Sequence, residues 1–590
     1  MIDISKLFQG RHNITLGGEL RKQQFNDLFQ QDPRGSFTFT GAATQAPVSN
    51  ATNQMASVIT SGSDVADFLL GTPDTSASAF GNADKYLRAP VYALYGADDW
   101  RVLPDLTINA GLRWQYGAPI TELRNRLVNL DVLPGFTAVA PVLASSPAGT
   151  LTGSRYPSSL IRPDKRGFEP RIGISWRPIP ASTIVVRAGY GVYHDTSVYQ
   201  AAALSLAQQA PLSTSLSVQN SPTCPLTLAN GFLPCNTTTA DTFAVDPNFR
   251  VGYAQTWQLS VQRDLPAALQ LTATYLGVKG TRGVQQFLPN TYPIGAINPN
   301  PGNPVGFVYQ TSGGDSTRES AQVQLRRRLR SGFTASLLYT FSKSIDDDAS
   351  LGGQGHVPGS TQGAAASGSG QSSSGATTSS STGQSATTQS ATASTPEIAQ
   401  NWLNLRGERS LSSFDQRHLL AALIQYTSGE GLGSGTLLGG WRGRLLKEWT
   451  VVTQITAGTG LPQTPIYLAA VPGTGYSGTL RPNRTGTAIF TRSPGRYLNA
   501  AAYAAPVPGQ FGSAGRNSIT GPNRFSLDTS LARTFRLEGR YSLDARISAT
   551  NLLNHVVFTG WDTTVNSTQY GAPLAANPLR SLESSLRLRF

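Results

Sequence analysis

The chain has 590 residues, of which 14% are charged, with 60 glycines, two cysteines and a formal net charge of +13. Single soluble cores stop growing near about 300 residues, and soluble domains carry about 25% charged residues, so an ordinary one-core soluble domain is excluded. No stretch approaches the roughly 18 apolar residues of a membrane helix, and the low charge with abundant glycine, serine and threonine favours a β-rich chain.

The sequence starts Met1-Ile2-Asp3-Ile4-Ser5-Lys6, which lacks the basic start and the apolar run of a secretory signal peptide. Taken literally, this start would leave the protein in the cytoplasm. We expect instead that the sequence is truncated before Met1.

Apolar side chains recur at every second position, the spacing that places them on one face of a β-strand. The first clear example is 106–116, and the last is the hairpin of 527–537 and 541–549. The same alternation occurs between them, at 257–261, 269–275, 333–341 and 449–455. These patterns predict a series of amphipathic strands.

The links between these strands alternate between short and long. Short links such as 264–267 and 330–332 separate long polar stretches, which we expect at 23–86, 117–170, 194–254, 279–316, 343–415, 458–524 and 552–581. Bacterial outer-membrane barrels have short periplasmic turns, long extracellular loops and an even number of strands. The sequence therefore predicts an all-β fold, a transmembrane antiparallel up-and-down β-barrel of about fourteen strands. We expect residues 1–590 to form this single barrel domain.

Aromatic residues lie near both ends of the predicted strands. If the C-terminus is periplasmic, the periplasmic ends carry Trp100, Trp176, Trp449, Phe535, Tyr541 and Phe590. The outer ends then carry Trp114, Tyr116, Tyr190, Trp257, Tyr275, Tyr339 and Phe341. Girdles of this kind mark the two interfaces of membrane barrels, although aromatic residues near strand ends also occur in soluble sheets.

Cys224 and Cys235 lie close together in a proline-rich polar stretch. We expect a disulfide that closes this loop, which implies an oxidising compartment; two unrelated free thiols are the alternative.

Residues 352–395 are rich in serine, glycine and threonine and have almost nothing to bury. We expect this tract to be a disordered insertion in an extracellular loop.

The remaining polar motifs indicate no enzyme, cofactor or metal site. The histidines are scattered without paired spacing: His12, His194, His356, His418 and His555. The segment 473–478 fits GxGxxG by letter, but no strand-then-helix context surrounds it. Asp346-Asp347-Asp348 could hold calcium, although a solvated acidic run at a strand end is the favoured interpretation. The basic run 326–330 is expected at a turn, so we predict no nucleic-acid partner.

The last nine residues form an amphipathic strand that ends at the carboxylate. Leu582, Leu586, Leu588 and Phe590 share its apolar face. This pattern resembles the terminal signal by which outer-membrane barrels are recognised for insertion, so we expect the barrel-assembly machinery and outer-membrane lipid, including lipopolysaccharide, as partners. An amphipathic last strand with an accidental terminal phenylalanine is the alternative.

Several charged residues occupy the polar faces of their strands: Arg113, Arg536, Asp544, Arg546, Arg587 and Arg589. In a wide barrel these side chains would face the lumen, where they could contact a plug or favour anions. Charge compensation between neighbouring strands is the favoured alternative.

Several motifs, weak singly, follow one another in an order that resembles Oar-like TonB-dependent receptors from about residue 86 to the end. They are Gly111-Leu112-Arg113-Trp114, 170–176, Tyr339–Asp347 (YTFSKSIDD), Ser413–His418 (SFDQRH), Trp449 with Gly458, Gly460 and Pro462, Arg481-Pro482-Asn483, 498–503, Gly512–Asn517 (GSAGRN), 521–523 and 551–555.

The resemblance implies a barrel of about 22 strands, closed by an N-terminal plug and driven by TonB, that takes up a ligand through its lumen. No TonB box or plug-like segment is recognisable in this sequence, so we expect the plug and the first strands to be missing and TonB to act only through that plug. The ligand is unidentified. An outer-membrane adhesin or structural barrel without transport is the main alternative. A membrane-embedded hydrolase and a soluble propeller or sandwich are less favoured, because neither a convergent catalytic set nor blade repeats are recognisable.

Overall fold

The computed structural model describes residues 2–590 apart from 31, 40, 42, 45–62, 222, 236–237, 240–242, 294, 306, 331, 348–397, 430–446, 468–469, 472–475, 478–479, 492, 537–540 and 568. For residues 2–9, 197, 219, 238–239, 470–471, 476–477 and 536 only the backbone is described. The predicted insertion at 352–395 and most of the GxGxxG segment therefore lie outside the described residues.

Most of the described chain forms one antiparallel meander, in which each strand pairs with the previous and the next one. Its fifteen strands are β1 Ile2–Gln9, β2 His12–Leu28, β3 Asp84–Leu103, β4 Leu106–Gly117, β5 Phe168–Trp176, β6 Val185–His194, β7 Tyr253–Leu265, β8 Leu269–Phe287, β9 Val308–Arg330, β10 Phe333–Asp346, β11 His418–Thr427, β12 Thr450–Gly458, β13 Arg524–Arg536, β14 Ser542–Thr550 and β15 Ser581–Arg589. Three short strands extend the same sheet: Thr121–Glu122, Phe243–Val245 and Ser410–Leu411. The predicted all-β, up-and-down antiparallel fold is confirmed, while no pairing joins β1 to β15 in the described residues.

Two details of the predicted strands were wrong. The strand β1 was not expected, and a two-residue turn at Gly10 and Arg11, with Gly10 at a φ of 62°, joins it to β2. Several strands also continue into stretches predicted to be loops. For example, β8 extends to Phe287 and β9 starts at Val308, both within the predicted loop 279–316. Alternation of apolar and polar side chains is needed only where a strand crosses lipid. Beyond the lipid this alternation therefore stops, although the backbone pairing continues.

The register gives the meander two chemically different faces. One row of directly paired residues runs across β3 to β11 through Trp100, Ile108, Ile174, Ala188, Leu259, Tyr275, Ala321, Phe341 and His418. The adjacent row on the other face is Asp99, Asn109, Gly173, Gly189, Gln258, Leu276, Ser320 and Ser342. We call these the apolar face and the polar face. Leu259 is 48% exposed, as expected for a side chain that meets lipid.

The aromatic residues predicted at the two strand ends share the apolar face. Trp100 and Trp176 lie near the short-link end of their strands, and Trp114, Tyr116 and Tyr190 lie toward the long-loop end. In the part of the chain that the structure describes, no helix is long and apolar enough to cross a membrane.

The buried core lies in the long loops and not between the membrane-spanning strands. Leu87 and Ala89, on the polar face of β3, are almost completely buried against loop residues of α2 (Tyr199–Leu206). A second cluster joins the loop 459–523 to the loop 551–580 through residues such as Ile519 and Trp561. The loops therefore fold over the polar face at the outer end of the strands.

Short elements organise these loops. They are the helix α1 (Asp64–Leu70), the 3-10 turns Pro134–Phe136, Thr196–Val198, Leu405–Glu408 and Ala500–Ala502, a sheet of Asp32–Thr38, Thr75–Phe80, Thr214–Gln219 and Thr238–Thr239, and the strand pairs Val128–Val132 with Val139–Leu143, Pro462–Gln463 with Ile519–Thr520, Ala470–Val471 with Tyr476–Ser477, and Asn483–Arg484 with Tyr503–Ala504.

Candidate functional site

The polar face of β2 to β5 carries paired charges. The guanidinium of Arg113 donates to Glu19 on β2 at 2.8 Å and lies 5.9 Å from the ring centre of Tyr95. Arg171 on β5 pairs with the almost completely buried Glu169 at 3.1 Å. Arg113 is thus on the face for which it was predicted, and its ion pair favours charge compensation.

The other residues predicted to face the lumen lie on the three C-terminal strands. Arg589 donates to Asp544 at 2.8 Å, and Thr534 donates to the same carboxylate at 2.7 Å. Arg546 donates to Ser548 at 3.0 Å, and the register places Arg587 opposite Asp544 on the polar face. The backbone of Arg536 pairs with Ser542, while its side chain lies outside the described residues. Leu582, Leu586 and Leu588 occupy the opposite, apolar face, and Phe590 is 85% exposed.

A cavity of 520 Å³ lies along β3 to β8, and part of its lining comes from the polar face. Gly173 and Gly189 face each other directly in the register, and Arg171 and Arg187 belong to the same lining. Arg187 donates to Gln262 at 3.0 Å, and among the described residues it pairs with no carboxylate. Glycines in strands mark places where a ligand or another backbone can approach closely. This charged surface with its two facing glycines was not predicted. Glycine has no side chain, so glycines on the polar face do not contribute to an alternation of apolar and polar residues in the sequence.

Two arginines, of which Arg516 is buried, join the loops at the outer end of β10. Arg516, 4% exposed, pairs with the carboxylate of Asp346 and donates from Nε to the carbonyl oxygen of Glu408 at 3.0 Å. Arg481 donates to both carboxylate oxygens of Glu408, at 2.5 and 2.8 Å. We call these four residues the arginine clamp. The interpretation of 346–348 as a solvated acidic run was wrong at Asp346, which is 3% exposed because Arg516 compensates its charge.

The loop 118–167 is organised by two buried carboxylates. Asp131 accepts hydrogen bonds from the hydroxyl groups of Thr152 and Tyr156, at 2.6 and 2.7 Å, and from two backbone N–H groups. Burial alone would raise the pKa of Asp131, but these donors outweigh it and the pKa lies below its usual value. The pKa of Glu122 also lies below its usual value, because hydrogen bonds from Arg126 and Arg124 outweigh the effect of its burial. Burial and the bond to Asp131 raise the pKa of Tyr156 to about 12.

These pKa values predict that the loop loosens only in strong acid. A carboxylate whose pKa is lowered by folding contributes stability above its unfolded pKa of about 4, and this contribution is lost as the pH falls through the folded value. The protection of the amides of 121–156, which is the intrinsic exchange rate at each pH divided by the observed rate, should therefore stay high from pH 7 to about 5 and fall below about 4. A Glu122→Gln, Asp131→Asn variant should exchange fast already at pH 7. Unchanged protection at pH 3, or loss at pH 6, would contradict the assignment.

A disulfide joins Cys224 to Cys235, with Cα atoms 6.2 Å apart. It closes a loop that packs against the small sheet, where the rings of Phe37 and Phe232 lie 4.8 Å apart. Among the described residues, no group of three or more histidine, cysteine, aspartate or glutamate side chains could hold a metal ion.

The family model described as "Outer membrane beta barrel domain" matches residues 3–583. This family agrees with the predicted membrane barrel. It also agrees with the prediction that the chain is not an enzyme. No curated protein matches the sequence.

Solved structures with a similar chain trace include three outer-membrane proteins. The outer membrane transporter YddB from Escherichia coli is 10% identical with a TM-score of 0.47, over 99% of this chain and 52% of that chain. The ferric-catecholate import receptor Fiu from E. coli K12 is 10% identical with a TM-score of 0.42, over 99% and 52%. The ferripyoverdine receptor of Pseudomonas aeruginosa is 10% identical with a TM-score of 0.42, over 98% and 46%. The chain thus spans about half the length of these structures.

Proposed function

Because the chain belongs to the outer membrane beta barrel domain family, we propose that it is the barrel of an Oar-like TonB-dependent receptor that takes up a ligand through its lumen. The family localises the chain to the bacterial outer membrane. The observation that supports passage through the lumen is the polar face, which is charged at Asp99 and Arg187 and is solvent-exposed at both of these residues and at Gln258.

In this proposal residues 1–590 form one barrel domain, and the charged residues of the polar face line the lumen. A plug supplied from outside the described residues would rest on that face, and TonB would act on the plug. The barrel-assembly machinery would recognise the C-terminal strand that ends at Phe590. The second candidate is an adhesin barrel, which is favoured by the well-packed core of the outer loops.

Ion conduction in planar bilayers separates the two candidates. We expect the 590-residue chain to form a conducting pore, since nothing in the described residues fills the polar face near Arg187. Arg187→Glu should shift the reversal potential in a KCl gradient toward cation preference, because this arginine pairs with no carboxylate in the part of the chain that the structure describes. Arg155→Glu, in the loop 118–167, is the control and should leave the reversal potential unchanged. An inserted chain that does not conduct would favour the adhesin.

A further inference from the structure

Three cationic side chains gather at the outer end of the barrel wall. Lys165 and Arg166 are exposed residues of the segment that leads into β5, and Arg282 lies on β8. Arg166 and Arg282 both approach the carboxylate of Asp164, at 3.7 and 3.8 Å. Two positive charges thus share one carboxylate, and the charge of the adjacent Lys165 is added to them, so the three cations exceed the carboxylate by two charges.

This basic cluster lies directly on the outer aromatic girdle. The Lys165 Nζ atom is 5.8 Å from the ring centre of Tyr116, and the Arg282 guanidinium carbon is 5.5 Å from the ring centre of Tyr253. The Trp114 indole donates to the carbonyl oxygen of Lys165 at 2.8 Å, which fixes the segment against the girdle.

The girdle residues establish which side of the wall the cluster is on. Tyr116 pairs with Tyr92, and Trp114 pairs with Leu94, which is 61% exposed on the apolar face. Tyr253 is six residues from Leu259 on the same strand and therefore shares its face. The cations are thus held at the level where the apolar wall ends and lipid headgroups begin.

We propose that Lys165, Arg166 and Arg282 form a binding site for the phosphate groups of an outer-leaflet lipid. Its acyl chains would lie on the apolar face below, against residues such as Leu94 and Leu112, while its phosphates contact the three cations. Arginine and lysine both bind phosphate, and the aromatic rings beneath them hold the cations at a fixed height. This site concerns the anchoring of the barrel and does not depend on uptake through the lumen.

Binding of diphosphoryl lipid A to the full chain in non-ionic detergent micelles tests the proposal. We expect a K165Q, R166Q, R282Q variant to bind at least about tenfold more weakly, since each cation near a charged headgroup surface contributes to binding. Asp164→Asn removes the one carboxylate of the cluster and should bind the lipid more tightly. Lipid A from which both phosphates have been removed should bind the wild-type chain as weakly as diphosphoryl lipid A binds the triple variant.

The matched control is an R263Q, R327Q, R533Q variant. These arginines also lie on the apolar face, but at the short-link end of their strands, and two of them lie near aromatic rings. We expect this variant to bind lipid A like the wild type. The proposal would be overturned if both variants lost binding equally, or if binding did not depend on the lipid phosphates. Full competition by inorganic pyrophosphate would also overturn it, because the site would then bind a soluble phosphate.

Discussion

An Arg516→Ala variant should lose about 3–5 kcal/mol of unfolding free energy, because it leaves a buried carboxylate without its partner. Asp346 is 3% exposed and is held by Arg516, which also donates to the carbonyl oxygens of Asp346 and Glu408. The change should also free the loop 459–523 from the end of β10, since Arg516 is a direct link between the two.

Unfolding by guanidinium chloride in phospholipid vesicles measures this loss of free energy. Limited proteolysis within 459–523 reports whether the loop has been freed. Arg328→Ala is the control, because Arg328 is 60% exposed and pairs with Asp264 at 3.4 Å. An exposed pair of this kind contributes about 1 kcal/mol or less. Replacing both charges, as in Arg516→Met with Asp346→Leu, should restore most of the stability. An Arg516→Ala variant that unfolds like the control would show that the arginine clamp does not hold the loops.

The spanning strands could be predicted from the sequence because lipid on one side and water on the other impose a two-residue period on side chains. Segments such as 106–116 and 541–549 carry that period and became strands with the expected faces. The alternation of short and long links followed for the same reason. Where both sides of a strand meet water or protein, as at the outer ends of β8 and β9, no such period exists and the strand could not be recognised.

The contacts between loops could not be predicted, because they join residues far apart in the chain. Asp346 and Arg516 both belong to motifs recognised by resemblance, yet a motif states neither its partner nor its burial. Their pairing spans 170 residues. Glu408 lies outside every recognised motif, although its pairing with Arg481 completes the arginine clamp. Only a three-dimensional arrangement reveals that two weak sequence signals form one buried network.

Two neighbouring residues on β7 should respond in opposite ways to the same substitution. Leu259 is on the apolar face near the middle of the strand, between Ala188 and Tyr275 of the adjacent strands. Gln258 is on the polar face, opposite Gly189, where the exposed surface leaves room for a longer side chain. Leu259→Arg should cost about 2–4 kcal/mol, the range found for arginine at the midplane of a membrane barrel. Gln258→Arg should change the unfolding free energy by less than about 1 kcal/mol.

The measurement must be made in a bilayer, since detergent allows a charged side chain to reach water more easily. Unfolding in phosphatidylcholine vesicles gives the two free energies, and repeating it with Leu259→Ala separates the loss of apolar contact from the cost of the charge. If the alanine variant loses as much as the arginine variant, Leu259 is packed against protein and does not face lipid. If Gln258→Arg is the more costly change, the two faces are assigned the wrong way round, and the charges on β2 to β6 would have to be explained without a lumen.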